Sequence, residues 1–127
     1  MSIDLGIAEK VIFTGFLRDE NLTKIYQLAD LYVMPSVSEP FGITALEALG
    51  HGTPAIISKQ AGVGEIIKNC LRVDFWDVNQ MAAKILAVLQ YPTLGQTMSQ
   101  NGQNEAQNIT WDNSATTCLN IYNEILG

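Results

Sequence analysis

The sequence predicts an α/β fold, in which a Rossmann-like parallel sheet has flanking helices and is followed by a helical C-terminal tail. Short apolar runs alternate with segments of helical apolar spacing up to about residue 74, and beyond Val78 only helical spacing remains. The 127 residues are 47% apolar and 16% charged, which is enough apolar chain for a core. We therefore predict one domain over residues 1–127, with strand and helix units over about 11–74 and a helical tail over about 77–127.

Four short apolar runs are predicted to be buried strands, because turn-forming residues bound them. Gly15 ends the first run, Pro35 stops the second, and Pro54 opens the third, where a missing N–H matters least. The predicted strands are Val11–Gly15, Leu31–Met34, Pro54–Ser58 and Leu71–Asp74.

Six helices are predicted from apolar spacing and from residues that begin or end helices. They cover about Asp19–Ala29, Phe41–Leu49, Glu65–Lys68, a segment from Val78 that stops near Pro92, Leu94–Gln107 and Trp111–Leu126. The side chains predicted to face inward from the last helix are Leu119, Tyr122 and either Ile125 or Leu126. Trp76 and Trp111 are predicted to pack against apolar neighbours.

Charge and residue content exclude several classes of function. The net charge is −6 and no Lys or Arg cluster exists, so no nucleic-acid partner is expected. One histidine and two separated cysteines cannot form a tetrahedral metal site without several carboxylates, so we predict no metal and no cofactor. The longest apolar segment, Met81–Leu89, is interrupted by Lys84, and residues 1–4 lack leader character, so we expect a cytoplasmic protein.

The segment Pro35–Glu47 is the candidate ligand site, because ligands of open α/β sheets bind where a strand ends and a helix begins. Glu39 belongs to the loop, whereas Glu47 lies inside the helix, roughly 7 to 8 Å along its axis from Gly42. Backbone N–H groups of residues 41–44 have no helical partner and lie between the two acids. The result is a three-part site with a carboxylate at each end and anion-binding amides in the middle.

A nucleotide sugar has the same three-part layout, with sugar hydroxyls, a pyrophosphate and a ribose diol. A carboxylate can accept hydrogen bonds from two neighbouring hydroxyls. The amides of Gly42 and Ile43, with the hydroxyl of Thr44, would face the pyrophosphate at the positive end of the helix. From residue types alone the alternative stays open that Glu39 and Glu47 are ordinary surface acids near a helix start.

Blocks of the sequence occur in an order that a known family shares. They are Val11–Gly15, Ala29–Ser36, Glu39–Ala48, Gly52–Ile56 and Gly62–Ile67, with Trp111 and Tyr122 near the end. In the third block seven residues separate two glutamates. Together the blocks resemble the C-terminal domain of retaining GT-B glycosyltransferases of the group 1 family, which use nucleotide-sugar donors. The resemblance covers nearly the whole chain.

The resemblance implies a role for each candidate residue. In such enzymes the residue matching Glu39 contacts the donor sugar, which makes Glu39 the candidate catalytic residue. The backbone around Phe41, Gly42 and Ile43 meets the sugar and the diphosphate. The residue matching Glu47 holds the ribose.

The resemblance also implies that the chain is a partial nucleotide-sugar-binding domain, the C-terminal half of a GT-B fold without its first two strand-helix units. In the family the first of these units carries the Arg and Lys that clamp the diphosphate. We therefore expect a donor-binding fragment, inactive alone, of an enzyme that transfers a sugar with retention to a glycan or lipid-linked acceptor. The missing N-terminal domain is then an expected partner, and the full-length enzyme is expected in the cytoplasm or at the inner face of the membrane.

A second interpretation comes from a different class of function. In the doubly wound order, Val11–Gly15 is strand three and Leu31–Met34 is strand four, with the absent strands between them. Either these two strands pair directly, or another chain covers the open apolar edge of Leu31–Met34. The alternative function is a non-catalytic interaction module that self-associates through this edge or pairs with a chain supplying the missing strands. A dehydrogenase or an epimerase is disfavoured, because the glycine-rich turn after a first strand is absent.

Overall fold

Three parallel strands form the sheet of this protein, whose computed structural model describes residues 1–127. They are β1 (Tyr32–Met34), β2 (Ala55–Ser58) and β3 (Leu71–Val73), and β2 lies between the other two. The register places Val33 beside Ile56 in the first pair. The α/β class and three of the four predicted strands are confirmed, each within one residue at either end.

Five α-helices surround and follow the sheet. They are α1 (Asp19–Leu28), α2 (Ile43–Gly50), α3 (Val78–Gln90), α4 (Pro92–Gln107) and α5 (Trp111–Leu126). Short 3-10 helices cover Ala8–Lys10 and Gly62–Glu65. The helix predicted over Glu65–Lys68 is therefore wrong in position, because the helical turn begins earlier, within the glycine-containing loop itself.

Local sequence signals explain where the later helices begin. The Asp77 carboxylate accepts a hydrogen bond from the Gln80 N–H and thereby caps α3. Pro92 occupies the first position of α4, where its missing N–H has no helical partner to lose. The Thr110 hydroxyl accepts from the Asn113 N–H and caps α5.

The core lies around β2 and α2. All four residues of β2 are buried, as expected for a central parallel strand that is covered on both faces. Helix α2 packs against β1, β2, α1 and α4, while α3 packs against β3 and α4. The apolar cluster consists of Met34, Ala45, Leu49, Ala55, Ile57, Ala61, Val63 and Ile67. Burying a leucine or isoleucine contributes about 1.5–3 kcal/mol each, so α2 is anchored where it supports the candidate site.

The predicted strand Val11–Gly15 is wrong. The segment has no regular secondary structure, and Ile12 and Phe13 are 83% and 89% exposed. A strand needs a neighbour to satisfy its backbone groups, and no strand of this chain pairs with these residues. The segment Val11–Gly15 does not pair with β1 either. The outer edge of β1 is therefore free of any strand of the chain.

The inward-facing side of α5 was also predicted wrongly. None of its residues is buried, and Leu119, Tyr122, Ile125 and Leu126 are all exposed. Both tryptophans predicted to pack are exposed as well, Trp76 with 62% and Trp111 with 82% of its surface. The apolar spacing identified a helix correctly, but no layer of this chain lies against that face.

No helix combines the length and the apolar character needed to cross a membrane.

Candidate functional site

The candidate site lies where β1 ends and α2 begins, at the carboxyl edge of the parallel sheet. Gly42 is the N-cap of α2 and has a left-handed backbone with φ of 110°. The helix therefore begins at Ile43 rather than at the predicted Phe41. A Cβ atom on Gly42 would lie 2.9 Å from a methyl group of Val63 and 3.1 Å from the Met34 methyl group. Glycine is needed here both for the backbone angle and for the close contact.

Four consecutive backbone N–H groups at this turn have no hydrogen-bond acceptor within the chain. The first hydrogen bond of α2 runs from the Ala45 N–H to the Gly42 carbonyl oxygen, at 3.0 Å. The N–H groups of residues 41–44 donate to no acceptor in the chain, and no side chain caps the helix. Unpaired amides at a helix N-terminus carry partial positive charge, so this turn attracts a phosphate or carboxylate.

The loop carrying these amides is held in place by the segment that follows β2. Glu39 forms an isolated parallel bridge with Ala61. The Gly62 N–H donates to the Glu39 carbonyl oxygen at 3.0 Å, and the Val63 N–H donates to the Phe41 carbonyl oxygen at 2.6 Å. The loop after β1 is thus tied to the loop after β2 by sheet-like hydrogen bonds, so the backbone that carries the unpaired amides is supported.

Glu47 projects from the second turn of α2 into a cleft of about 370 Å³. The cleft is bounded by α2 on one side and by the end of α4 and the start of α5 on the other, and Glu47 is the only charged residue in its lining. The carboxylate is half-buried, and its Oε2 atom accepts a hydrogen bond of 3.1 Å from the Tyr26 hydroxyl. A carboxylate with free acceptor positions beside apolar walls can bind hydroxyl groups.

The structure brings three of the six predicted site residues together in this cleft. Phe41, Ile43 and Glu47 line it, and so does Trp111, whose exposed indole was predicted to be a packing residue. Gly42 is buried beneath the turn.

The other two predicted residues lie along the same turn without lining the cleft. The Thr44 hydroxyl accepts from the Tyr32 hydroxyl at 2.7 Å and contacts the Met34 sulfur at 3.7 Å, so only its backbone N–H is free. Glu39 is half-buried, and the three ion pairs of the chain all involve other residues. Its carboxylate therefore has no cationic partner within the chain.

Tyr26 of α1 is a residue of the site that the sequence did not predict. Burial first, and then the Glu47 charge and hydrogen bond, raise the pKa of Tyr26 well above its ordinary value, so the phenol stays protonated and donates. A tyrosine at a buried helical position indicates a polar group nearby, because its hydroxyl needs a hydrogen-bond partner. The sequence contains no clue that the partner is an acid 21 residues away.

The one lysine that directly follows β2 is already paired with an acid. Lys59 follows β2, and its Nζ atom lies 2.8 Å from the Asp74 carboxylate at the end of β3. This hydrogen bond lowers the pKa of Asp74. No group of three metal-ligating side chains is clustered anywhere in the chain. The turn itself offers hydrogen-bonding groups, with amide donors beside a carboxylate acceptor.

Fold and site together define an α/β protein whose candidate ligand groove lies outside the carboxyl ends of a parallel sheet. The chain belongs to the family described as glycosyl transferases group 1, whose model matches residues 1–105. The resemblance to the C-terminal half of the GT-B fold is thereby confirmed.

Comparison with individual proteins agrees with this assignment. The chain is 38% identical over 122 residues to an uncharacterized glycosyltransferase of Methanocaldococcus jannaschii, covering 93% of this chain and 31% of the relative. It is similar to the structure of sucrose-phosphate synthase from Thermosynechococcus elongatus, with a TM-score of 0.85, 30% identity and coverage of 98% and 32%. It is also similar to Anabaena HepE in complex with UDP-glucose, with a TM-score of 0.77, 25% identity and coverage of 83% and 29%. The chain spans about a third of the length of these proteins.

Proposed function

We propose that this chain binds the nucleoside-diphosphate sugar donor of a retaining glycosyltransferase that transfers the sugar to a glycan or a lipid-linked acceptor. The observation that carries the proposal is the row of free amides at residues 41–44 beside the cleft that contains the Glu47 carboxylate. Family membership supports it, as does the complex of the similar Anabaena protein with UDP-glucose. The proposed setting is the cytoplasm, or the inner face of a membrane for a full-length enzyme.

The proposed roles follow the order of groups along a donor molecule. The amides of Phe41, Gly42 and Ile43, with that of Thr44, bind the diphosphate oxygens at the positive end of α2. Glu47 accepts hydrogen bonds from the two ribose hydroxyls. Glu39 contacts the donor sugar and is the proposed catalytic residue.

Charge limits how tightly this chain alone can hold a donor. No Lys or Arg lines the cleft, so its lining offers no cationic side chain to offset the diphosphate charge. Charge-assisted bonds from Arg or Lys are roughly twice as strong as neutral hydrogen bonds. We therefore propose weak donor binding, and no transfer activity, for these 127 residues by themselves.

Substitution of Glu47 is the first test. Isothermal titration with UDP, GDP and ADP sugars should identify the preferred nucleotide, and Glu47→Ala should weaken its binding by at least about tenfold, because a charge-assisted hydrogen bond contributes about 1.5–3 kcal/mol. Glu124→Ala on the exposed α5 changes the net charge equally and should leave the affinity unchanged. Equal or undetectable binding by the wild type and Glu47→Ala would refute the proposed function.

Substitution of Glu39 tests whether this residue contacts the sugar and not the nucleotide. Glu39→Ala should weaken binding of UDP-glucose while leaving binding of UDP unchanged, because only the sugar reaches the loop before Pro40. The same calorimetric titration, carried out with both ligands, measures this difference. A parallel loss for both ligands would assign Glu39 to the loop structure rather than to the sugar.

A second candidate function is supported by the free edge of β1. The Tyr32 N–H donates to the carbonyl oxygen of Pro54, the residue before β2, so by the alternation of parallel strands the N–H and carbonyl of Val33 point outward. Exposed apolar side chains of the segment Val11–Phe16 add surface that water solvates poorly. We propose that a second copy of the chain covers this edge, in a dimer formed by edge pairing.

A further inference from the structure

Tyr26 occupies a position in α1 from which its hydroxyl reaches a single polar partner. The residue is 5% exposed, and its Oη atom donates to Glu47 Oε2 at 3.1 Å. Its ring packs edge-on against Tyr32, with ring centres 5.9 Å apart. The burial and packing of the ring therefore help to fix the position of the hydroxyl.

A second ring holds the same segment of α2. The His51 ring stacks on Tyr26 at 5.6 Å and 23°, and its Nδ1 atom lies 2.7 Å from the Glu47 carbonyl oxygen, to which it donates. The Thr53 hydroxyl donates to the Tyr26 carbonyl oxygen. The backbone and the side chain of Glu47 are thus both bonded to a stack of two rings that bridges α1 and the end of α2.

We infer that Tyr26 is a positioning residue, which holds the Glu47 carboxylate in the orientation that accepts the 2′- and 3′-hydroxyls of a ribonucleoside diphosphate. The inference rests on the proposed function. A carboxylate has about four acceptor positions, and the Tyr26 hydroxyl uses one of them on Oε2. Oε1 accepts no hydrogen bond within the chain, and Glu47 lines the cleft, so acceptor positions stay available for a ligand there.

The physical gain is preorganisation. An unrestrained glutamate loses side-chain freedom when it binds a ligand, and that loss weakens binding. Because the Tyr26 hydroxyl has already ordered the carboxylate, the two ribose hydroxyls meet acceptors that need not be rearranged. Removing the hydroxyl should therefore weaken binding of a ribose-containing ligand by about three- to tenfold. A ligand without the diol should lose nothing.

The test compares UDP with 2′,3′-dideoxy-UDP by calorimetry on the 127-residue chain. Tyr26→Phe removes one oxygen atom and keeps the ring that packs against Tyr32 and His51. We expect a three- to tenfold loss of affinity for UDP and less than about a 1.5-fold change for dideoxy-UDP. Tyr91→Phe, which alters an exposed tyrosine between α3 and α4, is the matched control and should change neither affinity.

Coupling to Glu47 provides a second readout. Adding Tyr26→Phe to Glu47→Ala should weaken UDP binding no further than Glu47→Ala alone, because the hydroxyl acts only through the carboxylate. Thermal unfolding of each variant shows that the fold is retained.

The outcomes separate this inference from the function on which it rests. Unchanged UDP affinity in Tyr26→Phe overturns the inference and leaves the proposed function standing. Equal losses for UDP and dideoxy-UDP, or additive losses in the double variant, also overturn it, since they indicate a structural role only. Failure of the wild type to bind UDP at all overturns the proposed function itself.

Discussion

At the scale of single residues, Gly62 decides whether the loop after β1 can take its shape. A Cβ atom on this glycine would lie 2.1 Å from the Pro40 carbonyl oxygen and 3.0 Å from the Pro40 carbonyl carbon. Both atoms belong to the loop after β1, which is also hydrogen-bonded to Gly62, since the Gly62 N–H donates to the Glu39 carbonyl oxygen. Because the nearest atoms are backbone atoms, no flexible side chain can move aside to make room for a Cβ. Any larger residue must push the two loops apart.

We therefore expect Gly62→Ala to lower the free energy of unfolding by about 1–3 kcal/mol, the range measured for overpacked interiors. It should also weaken nucleotide binding, because separating the loops displaces the amides after Pro40. Thermal unfolding and UDP titration measure the two effects. Gly64→Ala is the matched control, because a Cβ there would meet its nearest atoms only at 3.5 Å. Equal stability of the two variants would mean that the loops are not held as tightly as the contacts indicate.

At the scale of elements, one carboxylate on α4 fastens the segment that leads into β3. Glu105 accepts hydrogen bonds from the backbone N–H groups of Lys68 and Asn69, at 2.7 and 2.8 Å, and from the Asn69 side chain at 3.0 Å. Burial alone would raise the pKa of Glu105, but the bonds from Asn69 and Lys68 outweigh it and lower the pKa below its ordinary value of 4.5. The ionised form is thus the one that holds the elements together.

The contribution of Glu105 should therefore depend on pH. A carboxyl whose pKa is lower in the folded state stabilises fully above its unfolded pKa, and the stabilisation disappears as pH falls through the folded pKa. We expect Glu105→Gln to lower the free energy of unfolding by about 1–3 kcal/mol at pH 7, with a smaller difference from the wild type near pH 3. Urea unfolding between these pH values measures this dependence, and Glu124→Gln on the exposed α5 is the control. A difference independent of pH would contradict the role of the charge.

At the scale of the whole molecule, two surfaces have no partner within the chain. One is the outer edge of β1, and the other is the apolar side of α5, where Trp111 and Leu126 are more than 80% exposed. A parallel sheet is normally covered on both faces and continued or protected at its edges. The edge of β1 is short, with only Val33 directing its backbone groups outward, so a dimer formed there would be weak and dependent on concentration.

We expect light scattering at micromolar concentrations to give a mass above that of a single chain, decreasing on dilution. Val33→Pro should abolish the association, because proline removes the outward-facing N–H while the bonds from β1 to β2 remain. Circular dichroism shows whether the variant keeps the wild-type fold. A strictly monomeric wild type would contradict the second candidate function without affecting donor binding.

Local chemistry was sufficient for most of the elements and for the position of the candidate site. Apolar spacing with terminal prolines and glycines predicted β1 to β3 and all five α-helices, because those signals act within a few residues of the chain. The segment from Glu39 to Glu47 was predicted as the site because a strand end followed by a helix start is itself a local pattern. Its unpaired amides were found at residues 41–44.

Tertiary structure decided whatever depends on a neighbour distant in sequence. Val11–Gly15 has the composition of a strand but no strand beside it, and α5 has an apolar side but no layer against it, so neither is buried as predicted. The partner of Glu47 is Tyr26 on another helix, and the close approach of Gly62 to Pro40 joins two loops. Composition and periodicity describe one segment at a time, whereas pairing, burial and orientation are properties of two segments in contact.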